Sequence, residues 1–134
     1  MNTSLQLIGF SLHHETIVHI RLLTPLNAQI DIGWTIMHYI LFYDMGEAYV
    51  AKRTQYRSLH LEHIRRAYEQ GYLVLAGPLA EPVDGAVLVF RGSSPEIVEE
   101  FAKMDPYVIN GLVTAWRVRK WMTVIGEGAT PTSG

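Results

Sequence analysis

The residues best placed to do chemistry are a histidine and an arginine on what reads as the inner side of a helix. Winding Tyr56-Arg57-Ser58-Leu59-His60-Leu61-Glu62-His63-Ile64-Arg65-Arg66-Ala67-Tyr68 at about 100° per residue gathers Tyr56, Arg57, His60, Leu61, Ile64, Ala67 and Tyr68 in one sector. Ser58, Glu62, Arg65, Arg66 and Glu69 fall opposite. An imidazole and a guanidinium taken out of water each need a partner, because an unpaired polar group costs about 1 to 3 kcal/mol and a charge more. A carboxylate beside His60 would fix its tautomer, raise its basicity and equip it to move a proton near neutral pH. Arg57 is spaced to hold a substrate carboxylate or phenolate bidentately, or to pair with Asp105 or Asp44.

The elements that must bring such groups together can be read along the chain. Met37-His38-Tyr39-Ile40-Leu41-Phe42-Tyr43 is apolar or aromatic at nearly every position, as a central strand covered on both faces requires. Residues 44–52 read as a loop, and the helix is predicted over about 53–70, stopped by Gly71. Strands are predicted at 72–76 and 86–90, joined as a hairpin through Gly77-Pro78, Pro82 and Asp84-Gly85. Ser93-Ser94-Pro95-Glu96 offers an N-cap, a proline for the first helical position and a glutamate for the first turn. That second helix should run to about Met104, where Asp105-Pro106 ends it, since a residue before proline is pushed out of the α region. Gly111 admits the turn into a last strand over 112–122.

The order β-α-β-β-α-β is the ferredoxin-like arrangement: two helices on one face of a four-stranded antiparallel sheet, an α+β fold whose other face is open. Right-handed crossovers make the helices antiparallel, so the start of the first lies beside the end of the second. Topology alone therefore brings His60 toward Asp105. On the residues alone a bland account stands beside this one, with Asp105 capping the turn before Pro106 and His60 filling a half-buried position.

Residues 1–36 lack a sustained period, although 5–10 and 16–20 suit short strands. Met37 reads as the natural start, residues 1–36 as an upstream extension the native protein would lack, 37–125 as the one domain and 126–134 as a flexible tail. A chain of 134 residues, 49% of them hydrophobic, is long enough for one core and too short for two. A formal charge of −2 leaves no footprint for a nucleic-acid backbone, and Gly85-Ala86-Val87-Leu88-Val89-Phe90 lacks the basic and stacking residues of an RNA-binding strand. With no cysteine, no lysine or arginine before Arg21 and no apolar run of about 20 residues, the expectation is a cytoplasmic protein without a membrane span. His60 and His63 at i and i+3 do not make a metal site, which needs three or four ligands, and no cofactor is implied.

The quoted pieces, in their order and spacing, resemble the YCII-related (YciI-like) domain: Arg57-Ser58-Leu59-His60 as an Arg-x-x-His motif, Gly71-Tyr72-Leu73, Gly77-Pro78, Asp84-Gly85, Ser94-Pro95-Glu96, and Asp105-Pro106-Tyr107 with Gly111-Leu112. The resemblance covers Met37 to about Met122, with Ser58 standing where the family often has proline. It implies a dimeric α+β barrel, with His60 and Asp105 as an acid/base dyad in which Asp105 orients. It further implies a small cytoplasmic enzyme, dehydrochlorinase-like in some members, performing an elimination or isomerisation on a small anionic, phenolic or lactone-type metabolite. A non-catalytic ligand-binding domain is the alternative. Arg57, Tyr43, Gly77, Pro78 and Tyr107 are expected to line the substrate site, Tyr43 and Tyr107 as hydroxyl donors, with Tyr39 a further candidate. Trp116 and Trp121 on the last strand would leave an apolar face too large for a monomer, and a homodimer closed sheet to sheet is expected; Arg117 and Arg119 read as a solvated or dimer-rim pair.

Overall fold

The computed structural model describes residues 36–129. The extension at 1–36, the two short strands expected in it and His13, His14 and His19 lie outside the described residues, Ile36 excepted, as do 130–134 of the tail. Met37–Met45 forms β1, Ala48–Glu69 α1, Leu73–Pro78 β2, Gly85–Gly92 β3, Glu96–Met104 α2, Pro106–Ile109 α3 and Val113–Trp121 β4. The sheet has four strands in the order β2-β3-β1-β4, and every neighbouring pair is antiparallel. Each crossover thus skips one strand, the split β-α-β arrangement of the ferredoxin-like fold.

Strand β1 is central because it can be covered twice. Its odd positions Tyr39, Leu41 and Tyr43 are buried against the helices with Leu88 and Phe90 of β3. The even positions Ile40 and Phe42 face the other side, where the register forms two rows across the sheet: Leu75, Val89, Ile40 and Arg119, then Gly77, Val87, Phe42 and Arg117. The Arg117 guanidinium lies 4.4 Å from the Phe42 ring centroid, and Arg119 shares its face. Trp121 falls on that face and Trp116, beside Tyr43, on the helix side. Helix α2 closes the core with Val98, Phe101 and Ala102; Phe101 meets Phe90 edge to face at 5.0 Å.

Helix α1 departs from the sequence pattern in two ways. It begins at Ala48, taking in a stretch expected to be loop, because Ala48, Ala51 and Lys52 favour helix and Tyr49, 7% exposed, packs on Tyr107. Its inner face is also rotated. Ala67 is buried and Tyr56, His60, His63 and Ile64 are half-buried, whereas Arg57, Leu61 and Tyr68 are exposed. Centred on Ala67, the buried sector leaves Arg57 about 80° to one side. Gly71, at φ +88°, ends the helix where a side chain would be strained.

Other boundaries move for local reasons. The N-cap of α2 is Pro95 rather than a serine, and no side chain caps it. The Ser94 side chain instead hydrogen-bonds Glu96, which holds that carboxyl below its usual range. After Asp105, Pro106–Ile109 forms one further helical turn instead of plain loop, with Asp105 as its cap. In the tail, Thr123 hydrogen-bonds His38 at 3.1 Å and Gly128 lies against the same imidazole.

The sheet closes tightly beside Tyr43. A Cβ on Gly85 would stand 2.7 Å from the Tyr43 carbonyl oxygen, backbone that cannot swing aside. Gly85→Ala should therefore lower stability by about 1–3 kcal/mol, read from the urea midpoint. An unchanged midpoint would mean that β1 and β3 separate there without penalty.

Candidate functional site

Asp105 has no exposed surface, which makes it the organising residue of the site. Its backbone, at φ −69° and ψ 124°, leaves the α2 helix in extended form, and Pro106 opens the next turn with its ring in the first helical position. In that geometry Oδ1 accepts the Tyr107 backbone N–H at 2.9 Å. The other oxygen, Oδ2, accepts the Tyr43 hydroxyl at 2.9 Å. His60 Nδ1 stands 2.8 Å from Oδ1. With the carboxylate oxygens already serving as acceptors, Nδ1 carries the proton and donates, and Nε2 is left as the basic nitrogen.

The imidazole is held on its flat side as well. Tyr107 stacks on His60 with centroids 3.8 Å apart and planes 6° from parallel, and Tyr49 meets Tyr107 edge-on at 5.9 Å. The His60 side chain remains 13% exposed, so an edge of the ring reaches solvent. Burial and then the Asp105 charge push the Tyr43 phenol far above its ordinary 10.0, keeping it a neutral donor. Burial likewise raises Tyr107. His63 supports the assembly from the next turn: its Nε2 donates to the Phe101 carbonyl at 2.8 Å and its ring stacks on Phe101 at 4.2 Å. That carbonyl lies in the last turn of α2, where helix geometry leaves acceptors without partners.

Of the residues expected at the site, the structure brings together His60, Asp105, Tyr43 and Tyr107. Tyr43 is turned to Asp105 rather than outward, so its hydroxyl holds the carboxylate. Arg57 is exposed on α1 instead of facing in, about one turn before His60. Gly77 and Pro78 are not gathered with the others. They end the edge strand β2, exposed, and Pro78 is separated from Tyr43 by Ala86 of β3, about 10 Å at two strand spacings. Tyr39 is core, 4% exposed, its phenol raised by burial and then by Glu96. Tyr49 and His63 were not legible as contributors; only the i, i+7 and i, i+3 spacings about Tyr56 and His60 hinted that they share the inner face.

A family model for the YCII-related domain matches residues 37–122, more than half of the chain. The chain belongs to the YCII-related family. The matched residues run from the first residue of β1 to just past the end of β4, so the family domain is the whole sheet with its helices. Among solved structures, the YCII-related chain is similar to a 5-chloro-2-hydroxyhydroquinone dehydrochlorinase from Burkholderia phenoliruptrix AC1100, in complex with 2,5-dihydroxybenzoquinone. Identity is 19%, the match covers 70% of this chain and 100% of that one, and the TM-score is 0.57, a likeness of fold. A nipsnap family protein of unknown function from Agrobacterium tumefaciens C58 also matches, at 16% identity over 66% of this chain and 87% of that one, with a TM-score of 0.37. No curated protein matches the chain.

Removing the Tyr43 hydroxyl leaves a buried carboxylate oxygen without its donor. Tyr43→Phe should lose about 1–3 kcal/mol at pH 7 by urea denaturation. A phenol whose folded pKa is raised contributes stability that is full below its unfolded value near 10.0 and declines as pH climbs above it. The deficit of Tyr43→Phe should therefore narrow above pH 10, and a constant gap from pH 7 to 11 would refute this account.

Proposed function

We propose that this YCII-related protein is a small cytoplasmic enzyme in which His60, held by Asp105, transfers a proton on a small anionic metabolite, phenolic or lactone-type. The observation that carries the reading is the 2.8 Å bond from His60 Nδ1 to a carboxylate with no exposure, which leaves Nε2 of a partly exposed ring as the reactive atom. In an elimination, Nε2 takes the proton from the substrate, the electron pair of that broken bond forms the new double bond, and the leaving anion departs with its own bonding pair. In an isomerisation the same nitrogen returns the proton at another atom. Neither step draws on an added cofactor. The dehydrochlorinase neighbour supports the first, since loss of HCl is a proton to a base and a chloride to solvent. Among the described residues no helix is long and apolar enough to cross a membrane.

A screen of chlorinated hydroxyhydroquinones and phenolic lactones, read by chloride release and by ultraviolet spectra, tests this. His60→Asn should lower turnover at least a hundredfold with the far-ultraviolet dichroism unchanged, and Asp105→Asn should lower it as well. A wild type that binds these compounds and turns none over would instead identify a binding domain.

The partner we propose for the outer sheet face is a second copy. Ile40, Phe42, Val87 and Val89 form a half-buried apolar centre, with Leu75 70% and Trp121 47% exposed beside it, and Arg91, Arg117 and Arg119 around them. An apolar centre with a charged rim is the anatomy of an interface, and a two-fold contact covers both patches at once. Light scattering should give twice the mass of one chain, and Phe42→Glu should halve it. A monomeric wild type at micromolar concentration would overturn the dimer.

A further inference from the structure

Among the described residues, Tyr107 presents the one buried side-chain polar atom without a hydrogen-bond partner, its hydroxyl, on a residue only 2% exposed. A hydroxyl in that position is unfavourable unless something accepts its proton. The contacts of the ring say where it lies. Tyr107 touches both Tyr49 and His60, which are about three turns apart on α1, roughly 16 Å of rise. It therefore runs beneath the turns between them, and those turns carry Arg53 and Arg57.

Both arginines are exposed, and neither forms an ion pair among the described residues. The Arg53 guanidinium stands 6.0 Å from the centroid of the Tyr49 ring, the same ring that abuts Tyr107. Burial, and after it Tyr49 and Asp105, raise the Tyr107 phenol, while Arg57 and Arg53 act in the opposite direction. Two like charges at i and i+4 repel, and an anion set between them reverses the sign of that interaction. A planar carboxylate suits the guanidinium fork and accepts a phenol proton at the same time.

We propose that Arg53, Arg57 and the Tyr107 hydroxyl form a carboxylate subsite beside the His60 ring, selecting substrates that carry a carboxylate in addition to the group that reacts at Nε2. The inference rests on the His60 reading of the site and gives its substrate a second handle. Arg57 was a candidate from sequence, whereas Arg53 lies outside the Arg-x-x-His motif and enters only through its place over Tyr49. Arg53 is a recognition residue, four residues further from the chemistry than Arg57.

Benzoate and its neutral amide, benzamide, are the probes, titrated into the full chain with 13C-labelled tyrosine rings; Tyr107→Phe assigns the Tyr107 signals. Benzoate should shift those signals and bind more tightly than benzamide. Arg53→Gln should weaken benzoate about five- to tenfold and leave benzamide unchanged, with Arg53→Lys recovering part of the loss because it keeps the charge. The proposal is overturned if benzoate leaves Tyr107 unmoved, if benzamide binds as well as benzoate, or if Arg53→Gln binds benzoate within twofold of the wild type. Turnover does not enter these readings. An Arg53-independent benzoate site would sink the subsite and leave His60 its role, while Arg53-dependent binding to a protein without turnover would sink only the acid/base reading.

Discussion

A carboxylate stripped of water is the constraint on which this structure depends. Removing such a charge from solvent costs several kcal/mol, recovered only when its lone pairs are fully engaged. Asp105 engages them with donors from three parts of the chain: the Tyr43 hydroxyl from β1, the His60 imidazole from α1 and the Tyr107 amide from its own turn. Sheet, long helix and connecting turn are thereby tied at one point. The site is not placed on a finished fold; it is one of the interactions that finishes it.

The same point explains why two accounts of Asp105 that look exclusive from the sequence are compatible. As a cap, it satisfies an amide that the turn after a proline would leave open. As a partner for His60, it uses the same Oδ1. Capping holds the Asp105 side chain independently of the imidazole, so the turn Asp105-Pro106-Tyr107 presents the acceptor and lowers the cost of ordering it for the histidine.

What could be read in advance follows from how each feature is encoded. The strand order was legible because β1 is apolar on both faces and because Gly71, Pro95 and Asp105-Pro106 punctuate the chain unambiguously. The approach of His60 to Asp105 was legible too, since antiparallel crossovers leave little choice about which helix ends meet. The start of α1 was not, because its first turns are held by Tyr49 packing on Tyr107, a contact between distant residues that no local period reveals. The outward orientation of Arg57 was not legible either, for a related reason. Leu61 and Tyr68 are apolar in type yet 37% and 63% exposed, so they widen the apolar sector of the wheel well beyond the face that is buried. Tyr43 was legible as a candidate at the site; that it faces the helices and spends its hydroxyl on Asp105 needed the sheet register and the distance.

Saturation of Asp105 also bears on the proposed proton transfer, because its lone pairs are already engaged. A proton added to Oδ1 would compete with the Tyr107 amide and the imidazole, and one added to Oδ2 would face the Tyr43 hydroxyl, whose own proton is held there by burial. Either event exchanges an attractive contact for a clash of two donors. The imidazole has no such obstacle on its far side. Nδ1 is committed, one face is covered by Tyr107, and the remaining polar atom of the ring is Nε2. His63, one turn on, holds the last turn of α2 through the Phe101 carbonyl, so the helix that presents His60 also restrains the helix that ends at Asp105. In the proposed chemistry a proton carried on Nε2 would leave the buried charge undisturbed, so an interaction that ties three parts of the fold together is compatible with a reactive imidazole.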